Sequence, residues 1–521
     1  MTTVREAFFD VCRDAGLTTW FGNPGSTELR MLRDWPDDFD YVLALQEASA
    51  VGTAAGYAIA TGRPALVSLH SAGGVGHALG AVFNAYRDRV PLVVVAGQQT
   101  RAMLPTRPFL SADEPAAFPR PYVKWSHQPE RPAAVPTALA EAVRVALAPP
   151  RGPVFLSVPE DDWDAAAVPV PHRAVHSVFT AAPEVLREVA EALDAAAAPA
   201  IVAGPGIDED GAWAETTALA ETLHAAVWAA PMPSRAAFPE DHPLFQGYLP
   251  PVRSAVAALL EGHDVVLVIG APVFTYHVHT EGPFVAAGTR LFHLDCDPAA
   301  AAWAAAGTSV LTTVRAGVAE LLRQVKPADR PDPPRRARPP APPLADPLTA
   351  AVVLAELHRR RPDAVLVEEA PSDKDVLHEQ IPITRPNGYV TTGSGALGWG
   401  LPVAVGRALA GERVICVVGD GSSLYSIQAL WTAARRRAPL TVIVLNNRRY
   451  EAVSALGRRI GIPSVPGTDL PGLDFTALAR GFGCPAARVT RAAQLGPALE
   501  RALAGPCLLD VEVSTSGGSL Y

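Results

Sequence analysis

Short apolar runs alternate with Ala-rich helical stretches along almost the whole chain. TTWFGNPGS (from Thr18), YVLAL (from Tyr41), PALVSLH (from Pro64) and PLVVVAGQQ (from Pro91) are separated by segments such as EASAVGTAAGYAIATG. This alternation predicts βαβ units and parallel sheets. The runs are apolar at consecutive positions, as parallel strands covered by helices on both faces should be. The N-terminal MTTVREAFFDVCRDAG reads as an amphipathic helix and not as a signal peptide.

Three such blocks follow one another. The first closes with GPVFLSVPEDDWD, and a Pro/Ala-rich bridge leads to a second that runs from PAIVAGPG through DVVLVIGAPV to RLFHLDCDP. KPADRPDPPRRARPPAPPLADP, residues 326–347, is too Pro-rich for a helix and reads as a semi-rigid extended spacer. The third block holds AVLVEEAPSD, VICVVGDG, LTVIVLNN and PCLLDVEVS. The expected division is 1–180, 181–325, the linker 326–347, and 348–521, each block a doubly wound α/β domain.

Composition narrows the function classes. Of 521 residues, 49% are hydrophobic and 19% charged, enough for large cores and unlike a disordered chain. The net charge of -9 argues against a nucleic-acid binder. HRRRP and ARRRAP read as solvated faces. The five cysteines are scattered without a CxxC pair, so neither a disulfide framework nor a zinc site is indicated. No apolar run reaches the ~18 residues of a membrane span. A soluble cytoplasmic protein is expected.

Ligands of open α/β sheets bind beyond the carboxyl ends of the strands. Asn23–Ser26, Glu47, His70, Glu369, Asp420 and Asn446–Asn447 all fall at such ends. Asp420 stands between two glycines after one apolar run, and the Asn pair ends the next. Either motif alone is an ordinary turn. Together, on neighbouring parallel strands, they offer a carboxylate and an amide oxygen, hard ligands suited to magnesium with phosphate oxygens. A helix starting at GSSLYS would aim its N-terminus at a diphosphate.

These motifs resemble the thiamine-diphosphate-dependent enzymes. FGNPGSTEL, LQEASAVGTAAGYA, LHSAGG, AGQQTRAM, PRPYVKWS, LLEGHDVVLVIGAPVF, GALGWGLPVAVG, YSIQALWTAA and LPGLDF are similar, in the same order, to the benzoylformate decarboxylase group. The resemblance covers nearly the whole chain. It implies a pyrimidine-binding domain, a central Rossmann-like domain and a diphosphate/Mg-binding domain. It also implies thiamine diphosphate and Mg2+ as cofactors. The metal would be held by Asp420, Asn447 and the backbone carbonyl of Arg449. Asn23, Glu369, Ser372, Gly395, Leu397, Gly419, Gly421, Ser422 and Tyr450 would bind the cofactor. Leu397 matches the bulky residue that bends it, and the Gly395 carbonyl would receive its amino group. The family often has Gly after the Asn pair, where this chain has Arg448 and Arg449, a difference that matters if φ is positive there.

The same resemblance assigns chemistry. Glu47 would hydrogen-bond a pyrimidine nitrogen and drive activation of the cofactor. A buried strand-end carboxylate should have a raised pKa, and a helix N-cap is the plainer reading of the same residue. Ser26, His70 and His277 match the groups that hold the substrate carboxylate and relay protons. His277 and His279 form an HxH pair without an evident third ligand. Phe109, Leu110, Val453 and Leu456 would line the substrate pocket, with Leu456 where the group carries an aromatic residue. The implied reaction is non-oxidative decarboxylation of an aromatic 2-oxo acid to an aldehyde and CO2 through a cofactor carbanion. A carboligase and a non-catalytic cofactor-binding homologue are the alternatives. A homodimer or homotetramer with active sites between chains is implied, with no nucleic-acid or membrane partner.

Overall fold

A computed structural model describes residues 2–361 and 363–515. The chain forms two compact units. One gathers Met1–His176, Leu344–Ser372 and Thr392–Ser516, and the other Ser177–Pro343 and Asp373–Thr391.

The first unit contains two parallel sheets. One takes the strand order Asp40–Leu43, Thr19–Gly22, Ala65–Leu69, Leu92–Gln98, Val154–Pro159, Ser126–His127. The other runs Val365–Glu369, Val414–Gly419, Leu440–Asn446, Cys507–Glu512, Ala486–Val489. Ala65–Leu69, Leu92–Gln98 and Leu440–Asn446 are buried at every position, so consecutive apolar residues do mark strands covered on both faces. In each sheet the strand order doubles back, which leaves a crevice at the carboxyl ends of the central strands.

The helix Glu47–Thr61 of the first block packs on Gly400–Leu409 of the third. Their contact is made by glycines. A Cβ on Gly56 would overlap the Val403 carbonyl, and one on Gly406 would overlap the Thr53 carbonyl. A Cβ on Gly52 would lie 2.7 Å from Pro402 Cβ. Polar contacts flank the crossing: Gln428 Nε2 donates to Ser49 Oγ at 3.1 Å and Thr432 Oγ1 to Leu43 O at 2.9 Å. Arg436 Nη2 meets Asp40 Oδ1 at 2.7 Å.

The second unit is built on one six-stranded parallel sheet, in the order Thr308–Leu311, Arg290–Asp295, Val265–Ile269, Pro199–Ala203, Ala226–Ala229, Phe245–Tyr248. The Pro-rich stretch 326–347 carries no helix or strand. Its first part is nevertheless tied down: Lys326 N donates to Asp194 Oδ1 at 2.9 Å, Ala328 N to Thr222 O at 2.9 Å and Arg338 Nη1 to Glu240 O at 3.0 Å. Among the described residues no helix is long and apolar enough to cross a membrane.

Because the atoms facing Gly56 and Gly406 are backbone carbonyls, added side chains cannot be accommodated by rotamer changes. Gly56→Ala and Gly406→Ala are each expected to destabilise the protein by roughly 1–3 kcal/mol, read as a lowered melting temperature. Wild-type melting in both variants would show that the helices can part without penalty.

Candidate active site

The strand Val414–Gly419 ends at Gly419, and Asp420 follows with only 2% of its surface exposed. Its Oδ1 accepts from Gly421 N at 2.8 Å and its Oδ2 from Arg449 N at 3.1 Å. Asn447 Oδ1 accepts from the same Arg449 N–H at 3.1 Å. Neighbouring parallel strands have thus brought the carboxylate and the amide oxygen onto one shared donor. Burial pushes the Asp420 carboxyl up, opposed by the N–H groups of Gly421, Arg448 and Arg449. The Arg449 carbonyl accepts from Glu451 N at 3.0 Å. Positive φ falls on Arg448, at 60°, and not on Arg449, so the arginine pair does contain the left-handed residue.

The helix expected from GSSLYS is only one turn long. Asp420–Ser423 is helical and Ala429–Arg435 is helical, but turns separate them. Tyr425 N bonds Ser422 O at 3.2 Å and Ser426 N bonds Ser423 O at 3.3 Å, the tighter spacing of turns. The turns bring Tyr425 close to Gly398, where an added Cβ would lie 2.8 Å from Tyr425 Cβ. The segment after Asp420 is therefore one turn of buried main chain through Gly421 and Ser422, without a long helix behind it. Gly421 itself packs against the Tyr450 ring, leaving no room for a Cβ.

Glu369 ends the strand Val365–Glu369 and is 1% exposed. Its carboxyl accepts from Gly398 N at 2.5 Å and from Gly400 N at 2.6 Å. It acts on the GALGWG loop, which carries Gly395, at φ 77°, and half-buried Leu397. Burial pushes Glu369 up to about 8, against the pull of the Gly400 and Gly398 N–H groups. Ser372 lies in the turn that follows, half-buried.

Glu47 opens the helix Glu47–Thr61, but Gln46 is its N-cap, with Oε1 accepting from Ser49 N at 3.0 Å. The capping role is thus filled by the neighbour. Glu47 is partly buried, at 16% side-chain exposure, and its Oε2 lies 3.2 Å from Nδ1 of exposed His77. Gly74 separates it from His70: a Cβ there would stand 3.4 Å from Glu47 Oε1 and 3.5 Å from His70 Cβ. His70 precedes the helix Ser71–Arg87, and its Nδ1 lies 3.0 Å from Thr27 Oγ1 and 3.3 Å from Glu28 Oε2. Ser26 is exposed at the start of the Ser26–Glu28 turn, and Asn23 Nδ2 donates to Ala44 O at 3.0 Å.

Leu110 is joined to this rim, because Ser71 Oγ donates to its carbonyl at 2.6 Å. Phe109 is exposed, with its carbonyl accepting from Gln99 Nε2 at 2.8 Å. Val453 and Leu456 sit three residues apart on Glu451–Arg459 and so share one side of that helix. His277 lies in the second unit, exposed, with its backbone N–H donating to Pro251 O at 2.8 Å. His279 pairs with Glu281 at 3.2 Å on the surface. Among the described residues no group of three or more His, Cys, Asp or Glu side chains is placed to hold a metal ion.

Three family models match in order: the thiamine pyrophosphate enzyme N-terminal TPP binding domain over residues 2–116, the central domain over 186–322 and the C-terminal TPP binding domain over 374–511. The chain belongs to the thiamine pyrophosphate enzyme family. Within that family it is 42% identical to a benzoylformate decarboxylase of Pseudomonas aeruginosa over 99% of both chains. The benzoylformate decarboxylase structure from Polynucleobacter necessarius superposes with a TM-score of 0.97, at 38% identity and 99% coverage of both chains. A thiamine diphosphate-dependent 4-hydroxybenzoylformate decarboxylase of Rhodococcus jostii gives 0.96, at 40% identity, covering 99% of this chain and all of that one.

The residues present fit the family's cofactor. A buried carboxylate and an amide oxygen on one shared N–H are the hard donors a magnesium ion takes alongside diphosphate oxygens. Sequence reasoning missed Thr27, Glu28 and His77. STE offered a weak signal, two polar residues and a carboxylate at a strand end, but nothing in it marked Glu28 as buried.

Glu369 also makes the fold pH-sensitive. Its carboxyl is raised from 4.5 to about 8 by folding, so its stabilising contribution is complete below about 4.5 and is lost as pH rises towards 8. Asp420, also pushed up by burial, acts in the same direction. The melting temperature is expected to fall across this range in the wild type and to fall less steeply in Glu369→Gln. Identical slopes in the two proteins would refute the assignment.

Proposed function

We propose that this enzyme decarboxylates an aromatic 2-oxo acid of the benzoylformate type without oxidation, releasing an aldehyde and CO2. The observation that carries the proposal is the full-length likeness to decarboxylases of benzoylformate and 4-hydroxybenzoylformate. The rim formed by Glu47, Gly74 and His70 supports it.

When bound, thiamine diphosphate supplies a carbon nucleophile and an electron sink. Asp420 and Asn447, with the Arg449 carbonyl, would hold magnesium, and Gly419, Gly421, Ser422 and Tyr450 would surround the diphosphate. Glu369 fixes the turn that presents Gly395 and Leu397 to the cofactor, with Asn23 and Ser372 nearby in the same assignment. Glu47 would hold and return a proton at its carboxylate. The Ser26 hydroxyl would bind the substrate carboxylate. His70 would move a proton at its outer ring nitrogen, with His277 as the second relay. Phe109, Leu110, Val453 and Leu456 would form the pocket, and aliphatic Leu456 leaves space beside a substituted ring. The working assembly is a cytoplasmic homodimer or homotetramer in which sites lie between chains. Domain roles follow the blocks 1–180, 181–325 and 348–521.

The test is an aldehyde-coupled assay on protein loaded with thiamine diphosphate and Mg2+, across aromatic and aliphatic 2-oxo acids. Turnover of benzoylformate or a ring-substituted relative is expected. Glu47→Gln should lower kcat by at least ~10²-fold with melting unchanged. Acyloin as the sole product when an acceptor aldehyde is added would replace decarboxylation by carboligation.

A further inference from the structure

We propose that Glu28 and Thr27 are positioning residues that fix the ring tautomer of His70. The inference rests on the reading of His70 as a proton-transfer group. The geometry is a closed chain. Thr27 Oγ1 donates to Glu28 Oε1 at 2.6 Å, and Glu28 Oε2 accepts from Gly25 N at 2.7 Å. A hydroxyl has one proton. With that proton on Glu28, Thr27 Oγ1 can only accept from His70 Nδ1, 3.0 Å away. Glu28 Oε2, 3.3 Å from the same nitrogen, is a second acceptor. With Glu28 as a carboxylate, Nδ1 therefore carries the hydrogen, and the neutral ring keeps its lone pair on Nε2. A side chain that takes and gives a proton at one atom needs that assignment fixed.

The surroundings are shaped for this chain of bonds. Glu28 is 2% and Thr27 1% exposed, while the His70 side chain retains 21%. A Cβ on Gly25 would collide with the His70 ring, and one on Gly97 would collide with both Glu28 Oε1 and Thr27 Oγ1. The backbone at Gly25 and at Gly97 thus lies so close to these side chains that an added Cβ would collide with them. Burial holds the Glu28 carboxyl above its ordinary value, and the Thr27 hydroxyl, the Gly25 N–H and His70 offset only part of that rise. The other ionisable groups nearby are Tyr41, bonded through its hydroxyl to Ser68 at 3.2 Å, and Glu47 across Gly74 with its partner His77.

Glu28→Gln tests the idea because an amide can donate. With its carbonyl oxygen kept on the Gly25 N–H, the Gln amide would donate a hydrogen bond to Thr27 Oγ1 and free the Thr27 hydroxyl to donate to Nδ1; only the longer 3.3 Å contact with the carbonyl oxygen would still favour Nδ1–H, so the ring would shift toward the Nε2–H form. The first readout is ring-15N NMR of His70, at a pH where the ring is uncharged, assigned by difference from His70→Ala. The expected result is Nδ1–H in the wild type and a shift toward Nε2–H in Glu28→Gln. The second is steady-state turnover of a 2-oxo acid: kcat should fall at least tenfold with KM within about twofold. Should Glu28→Gln fail to fold, Thr27→Val removes the nearer acceptor and should lower kcat several-fold. An Nε2–H ring in the wild type, or an unmoved tautomer in Glu28→Gln, would overturn the proposal. So would wild-type kcat in the folded variants while His70→Ala is slow. If wild-type holoenzyme turns over no 2-oxo acid, the functional reading falls, and the NMR result still decides the role of Glu28.

Discussion

The crossing of Glu47–Thr61 over Gly400–Leu409 is the contact on which the first unit's two halves depend. Glu47 lies at one end of the first helix, and the GALGWG loop runs directly into the second. A fixed crossing therefore sets the acidic group of the first sheet and the bent loop of the second relative to each other. Side chains would have held the helices at the usual 8–10 Å. Glycine at 52, 56 and 406 lets them close further, until backbone meets backbone.

Two kinds of buried acid serve the site by different means. Glu369 and Glu28 each accept from main-chain N–H groups, so each holds a loop by a polar contact inside the core. A buried carboxylate without such donors would be costly. Asp420 differs in that its second oxygen and Asn447 converge on one N–H, a convergence that suits a bridging cation. Loop geometry and charge placement are thus settled by the same few hydrogen bonds.

Much of this was legible in the sequence. Consecutive apolar residues announced the covered strands, and the strand-end position of Asp420 and Asn447 announced their meeting. The glycine expected after the Asn pair led to the right torsion, found at Arg448. What stayed hidden depended on contacts between distant segments. Ser422 onward reads as helix, but the chain runs in turns through residues 424–428, where Tyr425 packs against Gly398. Nothing in STE marks Glu28 as buried; its carboxyl is covered closely by the backbone at Gly97, a residue whose importance lies in what it leaves empty. Gln46 took the cap that Glu47 could have supplied, a competition local pattern alone does not resolve.

The glycines of the helix crossing have a genetic consequence. A core defect caused by an enlarged side chain can usually be repaired by shrinking its neighbour. At Gly56 and Gly406 the neighbours are the carbonyl oxygens of Val403 and Thr53, which belong to the main chain and are encoded by every residue alike. No second-site change of amino acid can remove them. Suppressors of these lesions should therefore be stabilising changes far from the crossing, with reversion to glycine the one direct local repair.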